Sequence, residues 1–153
     1  MIVVSDTSPL TALLTVGKAE LLVQLFGEVV VPKAVSTELL RHHPSLPEWL
    51  KVLDVHDRDK ADRYSQTVDL GEAEAIALAE ELHADRLLLD ERKGRELAKQ
   101  RGLPVVGLLG VVLLAKRKGL IVSARDLIQR LDREAGAYLG QELVEEALRT
   151  IGE

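Results

Sequence analysis

The stretch "LGEAEAIALAEELHADRLLLDERKGRELA", residues 70–98, decides the fold because its apolar period changes twice within one short span. In "GEAEAIALAEELHA" (71–84) apolar residues recur at helical spacing and Ala and Leu dominate, which predicts a strong helix. "DRLLLD" (85–90) is a continuous apolar run bounded by aspartates, and it reads as a buried strand. "ERKGRELAKQRG" (91–102) then returns to a helical pattern. A strand that is apolar on both faces and flanked by helices belongs to a parallel sheet covered on both sides.

Working outward, the same alternation recurs. "IVVS" (2–5) and "EVVVP" (28–32) are short buried strands, "LPVVG" (103–107) is a shorter one, and "KVLDV" (51–55) is an edge-strand candidate. "SPLTALLTVGKAELLVQLF" (8–26) has helical spacing with a break near Gly17, and "KAVSTELLRHH" (33–43) is a helix that ends before Pro44. Residues 57–69 are polar and read as helix or loop. "LLGVVLLAKRKGL", "SARDLIQRLDREA" and "GQELVEEALRTIGE" close the chain as helices, the second capped by Ser123. The fold class is α/β, with right-handed crossovers joining parallel strands. No repeat or linker divides residues 1–153, so one domain is expected.

Composition narrows the options. Hydrophobic residues make up 46% of the chain and aromatics only 3%, so the core is aliphatic. Cysteine is absent, which excludes disulfides and thiolate metal sites and fits a cytoplasmic location. No stretch approaches the roughly 18 uninterrupted apolar residues of a membrane span, so no membrane partner is expected. A net charge of −5 argues against a protein that coats nucleic acid through a basic surface, although carboxylates gathered on a cation would soften that field.

Ligands of open parallel sheets bind beyond the carboxyl ends of the strands, and that is where Asp6 and Asp90 fall. Glu38, two turns into the helix after "VVVP", and Glu72, at the start of the helix leading into the Asp90 strand, come from other units and can reach the same edge; Glu74 is a nearby alternative. Oxygen ligands without His or Cys call for a hard cation, Mg²⁺ or Mn²⁺. Such carboxylates repel one another unless a cation compensates them, and a cation held there can polarise a phosphodiester and activate water. Each acid also has a local reading. Ser8 can cap a helix with Pro9 at its first position, leaving Asp6 to accept backbone hydrogen bonds; Glu38 can be a solvated helix residue. Glu72 can answer the helix dipole, and Asp90 can cap "ERKGREL". Their joint placement favours the metal reading. His42 and His43 diverge by about 100° on a helix and lack a third ligand, so they read as a helix end.

The series "VVSDTSPL" (3–10), "VVVPKAVSTELL" (29–40), residues 70–98 and "GLLGVVLLAKRKGLI" (107–121) resembles the PIN-domain family, in particular a branch akin to the VapC toxins of toxin–antitoxin pairs. The resemblance implies a three-layer α/β/α domain with a central parallel sheet of four to five strands, an acid cluster binding Mg²⁺ or Mn²⁺, and endonucleolytic cleavage of RNA. By position, Asp6, Glu38, Glu72 and Asp90 match the family's first to fourth acids, and Thr7 and Ser8 match hydroxyls that meet a metal-bound water or a phosphate oxygen. Glu72 stands where an aspartate is usual, and Leu88 where a Ser or Thr is frequent. An antitoxin covering the cleft and a homodimer are the partners this resemblance implies.

Arg92, Lys93 and Arg95 begin beside Asp90 and are candidates for RNA phosphates. With one Trp, two Tyr and one Phe, no aromatic platform for bases is evident. The expected function is metal-dependent RNA hydrolysis. Its rival is a catalytically weak module that binds RNA or a protein partner in the same cleft. A phosphotransferase with Asp6 as nucleophile is disfavoured, because "DTS" lacks a second acid two residues on.

Overall fold

β-Branched and aliphatic runs supply the strands, and each strand sends alternate side chains to opposite faces. A computed structural model describes residues 1–153. Its five strands are β1 (Ile2–Ser5), β2 (Glu28–Pro32), β3 (Leu50–Leu53), β4 (Arg86–Leu88) and β5 (Val105–Val106). All pair in parallel, in the order β3-β2-β1-β4-β5. Strand "KVLDV" is thus an edge strand as expected, shifted by one residue at its start.

Nine helices flank the sheet: α1 (Thr7–Thr15), α2 (Glu20–Phe26), α3 (Lys33–His42), α4 (Arg58–Tyr64), α5 (Leu70–Leu82), α6 (Arg92–Gln100), α7 (Leu108–Arg117), α8 (Ala124–Ala135) and α9 (Gln141–Thr150). Val3, Val29, Val31 and Leu88 pack on one face against α1, α2, α7 and α8. Val4, Val30, Leu87 and Leu89 pack on the other against α4, α5 and α6. The result is the three-layer α/β/α arrangement with a core built almost wholly from Leu, Val, Ile and Ala. α5 is buried along its length, and Ala73, Ala75, Ala77 and Ala79 let it approach both its neighbours and the sheet. No single helix is long and apolar enough to cross a membrane.

One open local reading is settled and another changes. The polar stretch after residue 57 forms α4, with Asp57 accepting the Lys60 N–H at 3.0 Å as its N-cap. α1 does not start at Ser8 with Pro9 as its first residue; it starts at Thr7, with Asp6 in the N-cap position. The Asp6 N–H still donates to Leu88 O at 2.9 Å, so the chain passes from sheet ladder to helix without a linker. Pro9 is tolerated two positions deeper, as the third helical residue, because the first turn of a helix needs no N–H donors.

Candidate active site

β2 lies on one side of β1 and β4 on the other, so the strand order reverses at β1, and the crevice beyond its carboxyl end is the expected ligand position. Asp6 stands there. Only 4% of it is exposed, and although it occupies an N-cap its side chain makes no capping hydrogen bond. Glu38 approaches from α3. A Cβ at Gly71 would lie 2.6 Å from Glu38 Oε1 and 3.6 Å from Asp6 Oδ1, so both carboxylates close on the same bare point of α5.

Glu72 follows Gly71. It forms a reciprocal capping box with Asp69: the Glu72 N–H donates to Asp69 Oδ1 at 2.8 Å and the Asp69 N–H to Glu72 Oε2 at 3.3 Å. The local reading of Glu72 is therefore true of one oxygen only. Oε1 is buried and has no partner. Glu74 does not share this environment, because its carboxylate accepts the Ala34 N–H at 3.0 Å and Arg58 Nη1 at 2.9 Å. Of the two glutamates, Glu72 is the one with an uncommitted oxygen at the crevice.

Asp90 is placed differently. It does not cap α6, whose N-cap is Glu91; both its carboxylate oxygens instead accept the Leu108 N–H at the start of α7, at 3.1 and 3.2 Å. A Cβ at Gly107 would lie 2.7 Å from Asp90 Oδ1 and 2.8 Å from Arg95 Nη1, so this glycine seats both side chains. Arg95 also donates to Leu89 O at 3.0 Å. Arg95 and Ser8 line a cleft of ≈ 940 Å³ with Asp90 and Glu91. Arg92 lies outside this lining, its side chain 91% exposed and paired with Glu96. Thr7 Oγ1, beside Asp6, is buried without a partner.

The electrostatics follow from this packing. Burial pushes the Asp6 carboxyl up to about 7; the Thr7 N–H opposes the rise, and Glu72, Asp69 and Glu38 add to it. Glu72 is likewise raised to about 7 by burial and by Asp69, against the Asp69 N–H, with Glu91 and Glu38 contributing. Burial also raises Asp90, although the Leu108 N–H and Arg95 oppose it. Asp69 and Glu91 thus belong to the acidic field although they were not among the candidates. The "DLGE" capping pattern was the available signal for Asp69.

Asp6 and Glu38 meet at Gly71, Glu72 turns its carboxyl carbon toward Gly94 of α6, where a Cβ would lie 3.4 Å from it, and Asp90 stands against α7. No three of the side chains are set closely enough to hold a metal ion as they stand. The donor chemistry nevertheless fits a hard divalent cation. The ligands are all carboxylate oxygens, and a buried Glu72 oxygen and a buried Thr7 hydroxyl lack partners beside Asp6. A cation between them would satisfy the orphaned oxygen and relieve the repulsion that adds to the burial-driven rise of both acids. The DUF3368 family model, described as a PIN domain, matches residues 2–153. No curated protein and no solved structure matches the chain.

Proposed function

The chain belongs to the PIN-domain family, typically metal-dependent nucleases, and from that premise we propose that it is a Mg²⁺- or Mn²⁺-dependent endoribonuclease. The observation that supports this most is the convergence of Asp6 and Glu38 on Gly71 at the sheet's switch point, with a buried oxygen of the adjoining Glu72 left unpaired. In this reading those three acids hold the cation and Asp90 serves the opposite flank of the cleft. When bound, the cation supplies Lewis acidity and a hydroxide-like water for attack on the phosphodiester. Thr7 and Ser8 orient a phosphate oxygen through their hydroxyls. Arg95, rather than Arg92, meets the backbone phosphate beside Asp90. The biological role we propose is the toxin-like half of a toxin–antitoxin pair, acting as a homodimer, with an antitoxin closing the cleft.

One observation favours a second reading, a module that binds RNA or a partner without turnover: the acids do not form a closed cage, and Asp90 is occupied by the Leu108 N–H. Calorimetric titration with Mn²⁺ separates the two. The nuclease reading expects saturable binding that weakens at least tenfold in Glu72→Gln; absence of heat up to millimolar Mn²⁺ selects the module.

A further inference from the structure

The cleft that holds Asp90, Glu91 and Arg95 extends to the segment joining α8 and α9. Tyr138 and Leu139 of that segment line the cleft, with Leu143 of α9 and Leu113 of α7. Tyr138 is 72% exposed and Leu143 is 58% exposed, so the wall is apolar and open. The tyrosine is held in place from below, because the Gln141 N–H, in the first turn of α9, donates to its hydroxyl at 3.3 Å. Gly136 (φ +65°) and Gly140 (φ +85°) turn the chain out of α8 and into α9, and this turn presents the ring between them. The hydroxyl is anchored while the body of the ring stands in solvent.

One end of the cleft therefore offers a guanidinium and carboxylates, and the other a fixed aromatic ring with aliphatic side chains beside it. That polarity matches a nucleotide strand, with phosphate at the charged end and base at the apolar end. We infer that Tyr138 is a base-stacking platform that positions single-stranded RNA across the carboxylate edge. This inference rests on the RNA-cleaving reading above. Stacking on one aromatic side chain is sequence-tolerant and is worth about a tenfold or greater change in affinity per base. The cleft thus binds unpaired RNA in preference to duplex, whose bases are already stacked on one another.

The test is fluorescence anisotropy with a labelled RNA octamer and an abasic strand of equal length, in Ca²⁺ so that the RNA stays intact. Tyr138→Ala is expected to weaken binding of the octamer about tenfold or more, Tyr138→Phe, which keeps the ring and loses its hydroxyl anchor, to lose clearly less than Tyr138→Ala, and all three proteins to bind the abasic strand alike. Equal binding of the octamer by Tyr138→Ala and parent overturns the platform and marks the wall as a protein-docking face. Equal losses on both strands overturn it by showing a merely structural effect. A parent that binds no RNA overturns the RNA reading itself, and the platform with it.

Discussion

Asp6 joins two demands on one carboxyl group. The ladder bond from its N–H to Leu88 O fixes it at the end of β1, and burial then raises its pKa to about 7 in the field of Glu72, Asp69 and Glu38. Between the ordinary value of 3.8 and about 7 the folded chain keeps a proton that the unfolded chain has released, so stability from this group is present at low pH and lost as pH rises through 7. Glu72, raised from 4.5 to about 7, acts with the same sign. In EDTA, Asp6→Asn is expected to flatten the fall in Tm between pH 5 and 8. At pH 8 it should exceed the parent in stability by roughly 2–4 kcal/mol. Mn²⁺ at pH 8 should raise the Tm of the parent and leave Asp6→Asn nearly unmoved. Superimposable Tm–pH curves for the two proteins would contradict the account of Asp6 as an uncompensated buried acid.

At the scale of elements, the first turn of α5 organises the crevice. Gly71 has ordinary helical backbone, so Gly71→Ala gains helix propensity while its Cβ displaces the flexible end of Glu38 from beside Asp6. Thermal unfolding should therefore show a Tm no lower than the parent's, and Mn²⁺ titration an affinity several-fold weaker. A variant that binds Mn²⁺ as the parent does would remove Glu38 from the site. The apolar runs made the strands legible and helical spacing made α1–α3 and α5–α9 legible, because burial on one or both faces writes itself into the period of the sequence. α4 was less legible because it is polar except for Ala61 and Tyr64 and is held through Asp57. The start of α1 was misread because Ser8 and Pro9 carry the composition of a helix start, whereas the ladder bond of Asp6 is a tertiary fact. Helical geometry alone separates Glu72 from Glu74 by about 200°. Which of them faces the crevice depends on where α3 and Arg58 lie. The same holds for Arg92 and Arg95, of which only Arg95 reaches the seat at Gly107. The candidate acids could be named from the sequence, but their arrangement could not, since the contact of Asp90 with α7 spans elements that are distant in the chain.

Across the whole molecule, a chain of net charge −5 presents Asp90 and Glu91 to a cleft that is also lined by Ser8, Arg95 and the α8–α9 segment. α9 is fastened there: the Glu153 carboxylate accepts the Ala124 and Arg125 N–H groups at 2.8 and 3.1 Å at the start of α8, and Arg125 pairs with Glu145 at 2.9 Å. The wall beside the acids is thereby tied to the layer that covers the opposite face of the sheet from α5. Concentrated negative charge is unfavourable for an RNA-binding surface unless a cation reverses its local sign, so metal and substrate are expected to act together. The most direct measurement is cleavage of a labelled single-stranded RNA by the purified protein in Mn²⁺, in EDTA, and with Asp6→Asn and Asp90→Asn in Mn²⁺. The account predicts cutting by the parent in Mn²⁺ alone, with each substitution lowering the rate by at least about a hundredfold, as expected when a group essential to metal-assisted hydrolysis is removed. Cleavage that persists in EDTA or survives both substitutions would contradict it.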